Sequence, residues 1–252
     1  MDYIGIDIGS TAAKVVVRGA HPQQFILPTG WSSRETADNI RERLTTGGVC
    51  LSPDHSRTVA TGYGRGNVPF ADKMVTEITC HARAGAAHGS PDCTIIDVGG
   101  QDTKIIRIEG GMVSDFLMND KCAAGTGKFL EIMANRLCVG LEELFALAAQ
   151  GTPLAISALC TVFAESEVIS CIGEGKPRAD IAAGVVDSVA SKVATLCSRQ
   201  ALLPDIYLTG GLCHSPYFIS RLSDKLDRTV RALPDGHFAG ALGASLLAER
   251  MK

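Results

Sequence analysis

A chain of 252 residues with 46% hydrophobic and 20% charged side chains can bury one large core or two smaller ones, and its composition is that of a globular protein. Its 24 basic and 27 acidic residues leave a formal charge of −3 without a basic stripe, which argues against nucleic acid as a partner. No apolar run reaches the roughly 18 residues of a membrane span, and Met1-Asp2 leads into a strand pattern without the marks of a signal peptide, so a cytoplasmic protein is expected.

Residues 2–8 and 13–18 read as two strands joined by the tight Gly9-Ser10-Thr11 turn. Residues 34–44 predict an amphipathic helix, and 57–61 a short strand ending in the turn Gly62-Tyr63-Gly64-Arg65-Gly66. Thr76 to His88 reads as a helix of small residues, after which the strand pattern restarts at 93–98 and 103–108. Helical spacing then marks 127–138, 141–149, 162–173 and 178–199. A buried strand at 205–209, the Gly210-Gly211 turn, a helix at 216–227, a strand at 229–233 and an Ala-rich helix at 238–250 complete the chain. Strands and helices mixed in this order predict α/β layers.

Two segments align without gaps. Ile6-Asp7-Ile8-Gly9-Ser10-Thr11-Ala12-Ala13-Lys14 matches Ile96-Asp97-Val98-Gly99-Gly100-Gln101-Asp102-Thr103-Lys104, and β-branched residues follow in both. A single Asp-x-Gly means little, because Asp and Gly populate most turns. Two copies with the same Asp-Gly-Lys spacing carry more. A strand ending in Asp-x-Gly brings backbone N–H groups to a turn where no Cβ blocks phosphate oxygens. The Asp can hold Mg²⁺ through water, and the Lys adds charge near the phosphates. Asp7 and Asp97, the turn residues Gly9 to Ala13, Gly99 and Gly100, and Lys14 and Lys104 are therefore expected to bind ATP or ADP with Mg²⁺. Gln101 and Asp102 are candidates to orient the attacking water beside Asp7, and flat backbone at Gly210 and Gly211 is a candidate adenosine contact.

These three turns resemble the two phosphate elements and the adenosine element of the actin-like ATPase fold, shared by sugar kinases, acetate kinases and Hsp70 chaperones. The resemblance implies a ribonuclease-H-like architecture of two lobes with the nucleotide between them. One lobe is expected over 1–92, with the closing helix 238–252 packing back on it, and the second over 93–237.

Within that fold the runs Val98 to Lys104, Met118 to Phe129 and Cys160 to Val168 resemble the activator ATPases of (R)-2-hydroxyacyl-CoA dehydratases and the ATPase subunits of benzoyl-CoA reductases. The resemblance implies ATP hydrolysis coupled to injection of one low-potential electron into a partner dehydratase or acyl-CoA reductase. It also implies a ferredoxin or flavodoxin donor and a homodimer sharing one [4Fe–4S] cluster, with Cys122 and Cys160 as each chain's ligands. Thr126 is then a candidate phosphate contact or a helix cap. His237 occupies the place of a polar residue that reaches the adenosine in that family. Glu165 and Glu167 read as solvated helix residues.

Nine cysteines, an odd number with no C-x-x-C pair, do not suggest a disulfide scaffold. Apart from Cys122 and Cys160 they read as small buried hydrophobes, and so many oxidisable side chains suggest an oxygen-poor setting. Two other readings stay open on the residues alone. One is a small-molecule kinase of the same fold, which would have no use for the two cysteines; the other is an ATP-driven regulatory module without electron transfer.

Overall fold

The computed structural model describes residues 1–119, 122–156 and 160–251. Two compact units emerge, one made of Met1–Cys93, Arg107–Asp115 and Leu233–Lys252, the other of Thr94–Ile106 and Phe116–Ala232.

In the first unit β1 (Asp2–Ile8), β2 (Ala12–Gly19) and β3 (Gln23–Pro28) form an antiparallel meander. β4 (Ser56–Thr61) pairs with β1 in parallel, and the two-residue β5 (Lys73–Met74) completes the order β3-β2-β1-β4-β5. The period-2 alternation of β1 sends Ile4, Ile6 and Ile8 into a core with Val15, Val17 and Phe25, closed by Ile40 and Leu44 of α1 (Ser33–Thr46). Ser32 caps α1 by accepting a hydrogen bond from the Glu35 N–H. Beyond the sheet, Val59 packs with Cys80 of α2 (Glu77–His88) and with Ala244 and Ala248 of α8 (Ala239–Ala248). Gly5 makes that packing possible, because a Cβ there would sit 1.8 Å from the Ala241 carbonyl oxygen.

The second sheet has the order β10-β9-β6-β7-β8, built from β6 (Cys93–Val98), β7 (Thr103–Glu109), β8 (Met112–Asn119), β9 (Ile206–Gly210) and β10 (Val230–Ala232). β9 runs parallel to β6, as β4 does to β1, so each sheet sets a hairpin beside a parallel strand. β6 is buried along its whole length, as a central strand covered on both faces must be. Its core draws on α3 (Gly127–Arg136), α4 (Leu141–Ala148), α5 (Thr161–Gly173), α6 (Arg178–Cys197) and α7 (Pro216–Leu226), through residues such as Phe129, Leu144, Val168, Val189 and Phe218. Ser215 caps α7 and Pro216 occupies its first position.

This is the α/β layering expected. The sequence patterns did not indicate β3, β5 or β8. β3 buries only Phe25, and no residue of β8 is fully buried. Outer strands of this kind carry no clean alternation, and pairing with a neighbour decides them. The cysteines also depart from expectation: Cys80, Cys93, Cys197 and Cys213 are buried, but Cys50 and Cys138 are exposed and Cys171 is half-buried. No helix among the described residues is long and apolar enough to cross a membrane.

Candidate functional site

The two hairpin turns close in the same way. Gly9 donates its N–H to the Ala12 carbonyl at 3.2 Å, and Gly99 donates to the Asp102 carbonyl at 2.9 Å. The first turn is braced from outside by Thr29, whose hydroxyl donates to the Gly9 carbonyl at 2.7 Å and whose N–H donates to the Thr11 carbonyl at 3.1 Å. Ser10 and Ala12 are half-buried, Thr11 is exposed and Ala13 is buried.

Asp7 lies opposite Lys14 across the hairpin and beside Thr61 of the parallel strand. Asp97 lies beside Thr209 in the corresponding register. Both carboxylates are nearly buried, 8% and 4% exposed, as strand ends covered by helices require. Each parallel strand then passes into a left-handed glycine, Gly62 at φ 88° and Gly210 at φ 84°. A Cβ on Gly62 would lie 2.6 Å from Asp7 Oδ1, and one on Gly210 would lie 3.0 Å from Asp97 Oδ1 and 2.3 Å from the Val98 carbonyl oxygen. The Thr-Gly pair is therefore duplicated along with the hairpin. Gly210 and Gly211 stand out in the sequence as an adenosine candidate, whereas the matching role of Thr61-Gly62 shows only in the strand register. Gly210 is a glycine because β6 crowds it, whereas a Cβ on Gly211 would meet open space.

Other neighbours of Asp7 come from elements far away in sequence. A Cβ on Gly240 would lie 2.4 Å from Asp7 Oδ2, so α8 closes on the carboxylate, and 3.3 Å from His81 Nε2 on α2. His81, 5% exposed, carried no sequence signal. Behind each aspartate sits a buried thiol. Burial, reinforced by the charges of Asp7 and Glu77, pushes Cys80 up to about 12. Burial together with Asp97 pushes Cys213 up to about 11. These thiols stay protonated and inert at neutral pH.

The second hairpin holds a buried charge network. Lys104 Nζ donates to Asp102 Oδ1 at 2.7 Å and lies 3.7 Å from Asp97 Oδ2, while the Thr209 hydroxyl donates to Asp97 Oδ1 at 2.9 Å. Asp102, expected to orient water, is instead 4% exposed and ion-paired, while Gln101 is exposed at the tip of the turn.

The turn is also tied to α3. Gly127 and Lys128 donate their N–H groups to the carbonyls of Gly99 and Gly100, both at 2.9 Å, and the Thr103 hydroxyl donates to the Gly125 carbonyl at 2.8 Å. The first amides of α3, which a helix cannot satisfy internally, are thus used by the hairpin. Thr126 is fully buried, and its hydroxyl donates to the Ala123 carbonyl at 2.7 Å in a local turn rather than reaching outward.

Cys122 lies on the approach to this turn and Cys160 is the N-cap residue of α5; both are half-buried. Asp120 and Lys121, in the run that singled out Cys122, lie outside the described residues. Arg136 at the end of α3 pairs with Glu165 in α5, so Glu165 is not merely solvated. His237 is half-buried in the turn before α8, its ring 4.1 Å from that of Phe238.

Comparison with known proteins gives this geometry its context. The (R)-2-hydroxyglutaryl-CoA dehydratase activating ATPase of Acidaminococcus fermentans is 41% identical over 251 residues, covering 97% of this chain and 96% of that protein. The crystal structure of component A of the dehydratase from that organism superposes with a TM-score of 0.91 at 40% identity, over 99% of this chain and 98% of the other. The activator of 2-hydroxyisocaproyl-CoA dehydratase from Clostridium difficile, solved with bound ADPNP, gives 0.88 at 34% identity, covering 100% and 98%. The fold is that of the actin-like ATPases. The model of the BadF/BadG/BcrA/BcrD ATPase family matches residues 4–248, and the chain belongs to that family.

Proposed function

We propose that this chain is an ATP-hydrolysing activator that delivers one low-potential electron to a partner 2-hydroxyacyl-CoA dehydratase or a related acyl-CoA reductase. The observation that carries the reading is the bonded junction between the second hairpin turn and the start of α3, just after Cys122. A phosphate sensor and a candidate redox ligand then share one stretch of backbone. The relatives named for dehydratase activation match nearly the whole chain, whereas the kinase alternative rests on fold alone.

In this reading the turn of each hairpin presents backbone N–H groups to phosphate oxygens and its strand-end aspartate, Asp7 or Asp97, suits the water shell of Mg²⁺; Lys14 adds charge at the first turn, and Gln101 positions the attacking water at the second. Gly211, and His237 before α8, serve the adenosine. Nucleotide moves the α3 junction only if it binds one arrangement of the turn more tightly than another.

The cysteines fit an iron–sulfur ligand set. Cys122 and Cys160 are incompletely buried thiols in one unit, each just ahead of a helix. A [4Fe–4S] cluster takes four thiolates, so two per chain call for a second copy about a two-fold axis. When bound, such a cluster supplies one-electron chemistry at low potential, charged by a ferredoxin or flavodoxin. Anaerobic purification followed by iron analysis, absorption and sizing tests the reading. A brown dimer that binds ADP and, once reduced, activates a 2-hydroxyacyl-CoA dehydratase with ATP is expected. A colourless, iron-free monomer that phosphorylates a sugar would overturn it.

A further inference from the structure

The duplicated hairpins look equivalent, yet their lysines sit in opposite surroundings. Lys14 is half-buried, and its Nζ leans over the first turn, 3.8 Å from where a Gly9 Cβ would be. Among the described residues Lys14 has no carboxylate partner. Lys104 is 4% exposed and lies between Asp102 and Asp97. The cause is one position in the repeat: two residues before the lysine stands Ala12 in the first hairpin and Asp102 in the second. The Asp102 carboxylate folds back beneath its own turn, 2.8 Å from where a Cβ on Gly99 would be, and draws the ammonium inward.

We infer that Lys104 is a positioning counter-ion for Asp97 rather than a phosphate ligand, and that Lys14 alone supplies the phosphate-gripping cation. The inference rests on the ATP reading of the hairpins and divides their labour. Lys104 lies against two carboxylates, Asp97 and Asp102, a setting that suits a hydrated divalent cation better than bare phosphate. The ammonium and the Thr209 hydroxyl fix Asp97 from either side, so the carboxylate meets the cation in one orientation. The first hairpin, with one aspartate and one lysine, is balanced and can give its lysine to the nucleotide.

The test is titration calorimetry of the full chain with ADP, with and without Mg²⁺, on Lys14→Met, Lys104→Met and the double variant Lys104→Met/Asp102→Asn, with thermal melts as a fold check. Lys14→Met should bind ADP about tenfold or more weakly in both conditions, with a melting temperature near that of the parent. Lys104→Met should melt lower, because two buried carboxylates are left facing each other, and should lose more affinity without Mg²⁺ than with it. The double variant restores the charge balance and should recover both the melt and ADP affinity to within about threefold of the parent. A folded double variant that binds ADP as weakly as Lys14→Met would overturn the inference, since only a direct phosphate ligand would resist such rescue. If Lys14→Met binds ADP normally, the inference fails at Lys14; if the parent chain itself binds no ADP, the ATP reading of the hairpins fails.

Discussion

The N–H of Gly127 donates to the carbonyl of Gly99 at 2.9 Å, so the first turn of α3 hangs on the second hairpin. With the Lys128 and Thr103 bonds beside it, this contact makes the hairpin and the approach to Cys122 one hydrogen-bonded piece.

Thr103→Val should break that piece at a defined point. The hydroxyl is buried and is replaced by a methyl of similar size, leaving the Gly125 carbonyl without its donor. A buried unsatisfied acceptor costs about 1–3 kcal/mol, and for a chain of this size each kcal/mol lowers the melting point by about 2–4 °C. A thermal melt checks the loss. Nucleotide binding should fall less than the coupling of ATP hydrolysis to dehydratase activation.

Gly240→Ala sets helix propensity against a collision. Alanine at a helical position should gain up to about 1 kcal/mol over glycine. Here its methyl would lie 2.4 Å from Asp7 Oδ2, so the carboxylate must move. We expect ADP affinity in Mg²⁺ to fall by about tenfold or more, measured by calorimetry. Unchanged affinity would separate Asp7 from the nucleotide.

The Asp187 carboxylate on α6 gives a pH signature. Burial raises its titration, but hydrogen bonds from Lys225 (2.7 Å) and Arg221 (2.5 Å) on α7 outweigh this and hold it below the usual 3.8. A depressed carboxylate stabilises the fold above its unfolded pKa and loses that contribution as pH falls through the folded one. Asp187→Asn should therefore cost about 1 kcal/mol at neutral pH, near the low end for charged hydrogen bonds because solvent reaches the pair. The difference from the parent should shrink as pH falls through and below 3.8, as seen in denaturant melts across pH.

Cys122→Ala and Cys160→Ala should each abolish bound iron while leaving ADP affinity within about threefold of the parent. Iron analysis of anaerobically purified protein is the readout. If the Cys122 variant kept its full iron, the ligand assignment would be wrong.

Local chemistry settled much of this protein. Period-2 alternation meeting Asp-x-Gly forces a strand into a glycine turn, so both hairpins were readable from a few consecutive residues, and their repetition pointed to a duplicated fold. The runs around Cys122 and Cys160 pointed to the family. Tertiary structure decided what depends on partners far off in sequence. The edge strands β3 and β8 formed by pairing, and the approach of Gly240 to Asp7 came from helix packing. The Thr61-Gly62 counterpart of Thr209-Gly210 emerged only from strand register. The unlike fates of Lys14 and Lys104 lie between these cases. Asp102 is visible in the sequence, but a carboxylate two residues away binds a lysine only where burial removes the water that would otherwise solvate both.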